Sequence, residues 1–179
     1  MTEYHVWDRF LRVFHWSTAG LFLLNALLTD PESALHIWIG YAVGTLVVLR
    51  LIWGVIGPKT ARFHSFAPRR PALRRQLMDM ATSRKSAHLG HSPLGALMIF
   101  NLIAVLIGIS ASGYMMTTSL FWGVDWVESL HEALVTWAEI SVVVHVAAVL
   151  WESRRTGINL ARAMVTGVKT VPDTVRLEP

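Results

Sequence analysis

Four apolar stretches dominate the 179-residue chain and set its class. They run from about Phe10 to Leu28, Ala34 to Ile56, Pro93 to Met116 and Glu128 to Trp151. Each approaches or exceeds the roughly 20 residues that cross about 30 Å of hydrocarbon as a helix. The apolar residues lie in blocks rather than being dispersed, so the pattern predicts four transmembrane helices. No small-residue cleavage site follows the first block, which therefore reads as a mature helix and not a signal peptide. The expected fold is all-α: a single-domain integral membrane four-helix bundle over residues 1–179.

The boundaries carry helix signals. Ser92-Pro93 reads as an N-cap followed by proline at the first helical position, and Asp125 with Glu128 three residues on resembles a capping box. The five-residue link around Asp30-Pro31 makes the first two helices antiparallel neighbours. Between the second and third helices, residues 57–91 form a basic connection that predicts a short amphipathic helix after Pro71, lying on anionic lipid headgroups. The tail from Ser153 to Val171 has apolar residues at helical spacing and predicts a short amphipathic C-terminal helix along the same surface.

Composition agrees with the pattern. The chain is 53% hydrophobic and 16% charged, against about 25% charged in an average soluble domain, and a soluble protein this small could not hide that much apolar surface. There is no cysteine, which excludes disulfides, iron–sulfur ligation and covalent haem attachment through a C-x-x-C-H motif.

Charge then sets the orientation. Apart from Arg50, every Lys and Arg falls in three segments: Arg9 and Arg12; Lys59, Arg62, Arg69, Arg70, Arg74, Arg75, Arg84 and Lys85; and Arg154, Arg155, Arg162, Lys169 and Arg176. The connections at 29–33 and 117–127 contain none, only Asp30, Glu32 and Asp125. Fifteen basic residues against none puts both termini and the long connection in the cytoplasm. The net charge of +4 is thus placed for a membrane surface and not for nucleic acid.

Of the eight histidines, His5, His64, His88 and His91 sit in or beside cytoplasmic segments. His88 and His91 have no third ligand type nearby to complete a metal site. The other four lie within predicted spans, where ionisable side chains are costly and usually functional. His15 lies near the cytoplasmic face, while His36 and His131 open helices at the periplasmic face. His145 follows His131 by fourteen residues, about 21 Å of helix and only about 40° short of four full turns. His131 and His145 therefore project from one face at opposite depths. The spacing pairs His36 with His131 outside and His15 with His145 inside. Each pair suits the two axial positions of a haem iron, whereas two histidines alone make an incomplete zinc site.

Several neighbours fit a large planar cofactor. Gly40 and Gly44 follow His36 by one and two turns, either clearing a face for the macrocycle or allowing close helix packing. Arg50 lies fourteen residues after His36 and Arg12 one turn before His15; either could pair with propionates of an inner haem or snorkel to the interface. Glu139, near mid-membrane, is a quinone-side proton group or a hydrogen-bonded interior residue. The tryptophans cluster near helix ends, as interfacial anchors do.

These residues resemble the bacterial cytochrome b561 and nickel–iron hydrogenase cytochrome b subunit family. The motifs that carry the likeness are V-W-D-R-F-L-R-V-F-H-W (Val6 to Trp16), H-x-x-x-G (His36 to Gly40), R-L-I-W (Arg50 to Trp53), G-H-S-P-L-G-A-L-M (Gly90 to Met98) and N-L-A-R-A-M-V-T-G-V-K (Asn159 to Lys169). The resemblance implies a bacterial inner-membrane bundle holding two non-covalent haems b on the first, second and fourth helices. By position the ligands are His15, His36, His131 and His145. It also implies electron exchange with membrane quinone and with a periplasmic redox protein such as a c-type cytochrome. The short periplasmic connections depart from hydrogenase subunits with longer chains, and homo-oligomerisation stays open.

The expected role is electron transfer. The alternative is a stand-alone quinone-linked oxidoreductase acting on a small periplasmic species such as superoxide, against which the lack of a basic periplasmic funnel counts. A haem-free channel leaves the four intramembrane histidines unexplained.

Overall fold

The computed structural model describes residues 1–82 and 86–178, so Arg84 and Lys85 of the basic connection lie outside the described residues. Four long helices make the bundle: α1 (Arg9–Leu28), α2 (Ala34–Ile56), α5 (Pro93–Met116) and α6 (Asp125–Thr156). All four are long and apolar enough to cross a membrane. Shorter helices α3 (Phe63–Phe66), α4 (Arg70–Ala81) and α7 (Leu160–Thr166) lie in the connection and the tail.

Local chemistry explains the limits. Asp8 caps α1 by accepting from the Leu11 amide at 3.0 Å. Ser33 caps α2 through the His36 amide at 3.2 Å, and Ser92 caps α5 through the Gly95 amide at 3.1 Å with Pro93 at the first position. The capping box expected at Asp125 does not form. Val124 is the N-cap without a side-chain bond, and Asp125 and Glu128 sit inside the first turn, where they favour the positive end of the helix dipole. The helix therefore starts three residues before the expected Glu128. It also runs five residues past Trp151, until Gly157 turns left-handed at φ 74°.

Packing among the long helices is apolar inside and apolar outside. Ile39, Val43, Val47 and Leu106 form a buried cluster with Leu21 and Phe22 against it. Large apolar side chains such as Leu27, Trp38, Val48, Ile52, Val55 and Val143 remain exposed around the bundle, an outer surface suited to lipid. α5 and α6 approach closely where Gly108 meets Leu134, and any Cβ on Gly108 would stand 2.9 Å from that side chain. Asn101 bridges the same pair, donating to Ser141 Oγ at 2.9 Å and accepting from Trp137 Nε1 at 3.0 Å. Such bonds in a membrane contribute about 0.6–2 kcal/mol each.

The chain is mostly helical, with two small sheets that the all-α expectation omitted. β1 (Thr2–His5) pairs antiparallel with β3 (Val168–Val171), and β2 (Ser86–His88) pairs parallel with β4 (Arg176–Glu178). The expected tail helix is correspondingly short: α7 ends at Gly167, left-handed at φ 84°, and the chain continues as β3. Strands this short carry no readable alternation, and their partners lie far away in sequence.

These pairings bring the described residues of the three basic segments to one end of the bundle. Lys169 is 4% exposed and its Nζ donates to the carbonyls of His88, Leu89 and Gly90 at 2.9, 2.8 and 3.3 Å. Arg155 donates to the Ser86 carbonyl at 2.9 Å. Beneath them Ala87, Ile158, Val171 and Val175 form a second apolar cluster. Arg70, Arg74 and Arg75 on α4 stay exposed, while Gln76 on its inner face accepts from the Leu94 amide at 2.9 Å.

His91 is sandwiched between Trp7 and Phe66, with ring centroids 4.5 and 4.2 Å away. Burial, reinforced by the nearby charges of Arg50 and Lys169, pushes its imidazole pKa down to about 3. Between pH 6.5 and about 3 an unfolded chain protonates this ring and the folded one does not, so the ring's contribution to stability is complete above pH 6.5 and falls as pH drops. His91→Phe keeps the stack and removes the titration. The melting temperatures of wild type and His91→Phe are therefore expected to diverge in the variant's favour from pH 7 to pH 4; a constant difference would contradict this.

Candidate functional site

The four intramembrane histidines sit on three of the long helices: His15 on α1, His36 on the first turn of α2, and His131 and His145 on α6. The structure brings them together in two pairs. The rings of His36 and His131 have centroids 6.4 Å apart and those of His15 and His145 6.3 Å apart. Two imidazoles binding one metal from opposite sides, with bonds of about 2.0 Å and centroids about 1.1 Å behind each nitrogen, stand about 6.2 Å apart. The gap in both pairs fits a single intervening metal atom, which is the test a haem iron sets.

The surroundings of the two pairs differ. In the His36–His131 layer each ring meets a hydroxyl. Thr29 Oγ1 lies 3.2 Å from His36 Nδ1, and Ser112 Oγ lies 2.9 Å from His131 Nδ1. Gly113 gives the second ring its room, since a Cβ there would come within 3.1 Å of His131 Cε1. In the other layer His15 Nδ1 is buried with no partner among the described residues, and Trp16 packs edge-on against the ring at 5.0 Å. Thr29 and Ser112 had no signal in the sequence reading. One is a threonine at a helix end and the other a lone hydroxyl in an apolar span, and nothing local ties either to a histidine.

The two glycines of α2 separate in role. Gly44 approaches α5, where a Cβ would stand 3.3 Å from Ser110, which is close helix packing. Gly40 has none of the described residues within 4 Å of a Cβ position, so its side of α2 is open among them.

The arginines are partly committed. Arg50 is 2% exposed; its Nη2 donates to the Ala61 carbonyl at 3.1 Å and its guanidinium lies 4.5 Å over the Phe63 ring. Its Nη1 is buried without a hydrogen-bond partner among the described residues. Arg12 donates from Nη1 to the Val165 carbonyl at 2.7 Å, and its Nε is likewise buried and unpartnered among the described residues. Each therefore keeps a donor for an acidic group. Glu139 stands exposed on α6. Among the described residues no three His, Cys, Asp or Glu side chains cluster as a metal site, and His91 is occupied by its aromatic stack.

A four-helix membrane bundle with facing histidines inside it is the architecture of a transmembrane haem protein. The chain belongs to the prokaryotic cytochrome b561 family, whose model matches residues 6–167. It is accordingly a bacterial membrane b-type cytochrome of electron transport, from a family that binds haem b. No curated protein and no solved structure matches it significantly.

Proposed function

We propose that this cytochrome holds two haems b, one between His36 and His131 and one between His15 and His145, and passes electrons between membrane quinone and a periplasmic redox protein. The observation that carries the reading is the pair of imidazole gaps, 6.4 and 6.3 Å, set about 21 Å apart along α6. Once bound, each haem supplies a one-electron redox centre with no open iron position for oxygen chemistry.

The chain's own residues do the rest. The long helices hold the imidazoles at two depths and keep bulk water out of the apolar interior. Arg50 Nη1 and Arg12 Nε, buried and unpartnered, offer charge to propionates of the inner haem, and the open side at Gly40 leaves room for a macrocycle. The basic segments gathered at one end support a cytoplasmic location for both termini, which puts the His36–His131 layer outside. The outer connections are short and carry Asp30, Glu32 and Asp125 but no basic residue, so a charged periplasmic partner is one that presents basic and not acidic groups to them.

Proteoliposomes of known orientation test the assignment. A membrane quinol is expected to reduce the protein, and the impermeant oxidant ferricyanide is expected to reoxidise it faster from the side carrying the 29–33 and 117–127 connections. A protein reducible by dithionite yet inert to quinol would overturn the quinone role. Faster reoxidation from the opposite side would overturn the orientation.

A further inference from the structure

We propose that Thr29 and Ser112 are positioning residues that lock His36 and His131 in the tautomer offering Nε2 to a metal, an inference that rests on the haem reading above.

Ser112 Oγ has one proton and lies 2.8 Å from the Gly108 carbonyl and 3.2 Å from the Ile109 carbonyl. Carbonyls only accept, and the Gly108 carbonyl is the nearest of the three groups around the hydroxyl, so we assign the hydroxyl proton to it and not to the ring, which would accept it only in the opposite tautomer. What the hydroxyl then offers to His131 Nδ1 at 2.9 Å is a lone pair, and Nδ1 must be the protonated, donating nitrogen. Ser112 is 2% exposed, so an unmatched pair there would carry the full cost of a buried unsatisfied group.

The same chain recurs at the other ring. Thr29 Oγ1 donates toward the Asn25 carbonyl at 2.7 Å, with Asn25 Oδ1 at 3.0 Å as the second acceptor, and His36 Nδ1 faces the hydroxyl at 3.2 Å. Asn25 closes the loop by donating from Nδ2 to the His36 carbonyl at 3.2 Å. Each arrangement thus reads imidazole N–H to hydroxyl to carbonyl. Each leaves Nε2 bare, the state a metal requires, and fixes the ring plane. Partners of this kind raise the basicity of the ligand.

Among the described residues the inner layer has no such arrangement at His15, whose Nδ1 is buried without a partner there. The effect of losing either hydroxyl is therefore confined to the outer centre.

Redox titration of the purified protein, followed optically and by electron paramagnetic resonance of the ferric state, tests this. In Ser112→Ala and in Thr29→Val one of two haem components is expected to shift to higher midpoint potential with an altered low-spin signal. Haem affinity at that centre is expected to fall about tenfold, while the other component stays put. Ser112→Thr and Thr29→Ser are expected to restore the wild-type values. Unchanged potentials and signals in both variants, or equal shifts in both components, would overturn the positioning role while leaving the haem reading intact. A wild type lacking two b-type components would overturn the haem reading, and the proposal with it.

Discussion

Replacing His131 with alanine is expected to remove one haem and leave the other, and replacing His145 to remove the complementary one. Each variant should purify with half the wild-type haem content. The two should differ in which component of the redox titration disappears. The expectation follows from α6 carrying one member of each facing pair at two depths. Without His131, His36 has no opposite imidazole 6.4 Å away, and the six-coordinate low-spin state is lost at that layer alone. The His15–His145 gap, about four turns away, keeps its geometry because α6 packs on α5 through Gly108, Leu134, Asn101 and Ser141, contacts neither substitution touches. Loss of the same component in both variants, with helix content unchanged, would contradict the pairing.

Lys169→Met is expected to give the largest loss of stability outside the membrane. The Lys169 ammonium satisfies three carbonyls of the connection before α5 while lying 5.6 Å from the Trp7 ring. Burial pushes its pKa down to about 8, with Glu152 pulling the other way, so the group is still charged at neutral pH. Methionine fills similar volume and donates nothing. Leaving a fully buried carbonyl without a donor costs about 1–3 kcal/mol; Leu89 is exposed and His88 and Gly90 only half-buried, so water replaces part of what the three carbonyls lose and a total of about 2–4 kcal/mol is expected. That lowers the melting temperature by several degrees in a chain of this size. Limited proteolysis should cut more readily at residues 88–90, because their carbonyls lose the ammonium that ties them to the tail, while the visible spectrum persists. A melting temperature equal to wild type would show that the latch contributes nothing.

Much of the architecture was legible in the sequence because membranes impose it. α2 and α5 begin and end where apolar length and the Ser92-Pro93 signal placed them. The four histidines meet in the pairs expected from helical arithmetic, since a rigid helix converts fourteen residues into a depth and a direction. What stayed hidden depends on long-range or atomic contacts. The strand pairs β1–β3 and β2–β4 join segments more than 80 residues apart and are too short for a pattern. Asp125 entered the first turn because Val124 took the capping position, a choice of one residue that composition does not decide. Arg12 and Arg50 already hold backbone carbonyls, which no spacing rule could reveal. Thr29 and Ser112 became visible only once side-chain oxygens could be set against ring nitrogens.

The most direct test of the central claim is a reduced-minus-oxidised visible spectrum of the purified protein with haem quantified per chain. Two haem irons, each held by facing imidazoles, predict a low-spin b-type spectrum and two non-covalent haems per polypeptide. One haem per chain, or a spectrum without the low-spin b-type bands, would contradict the account.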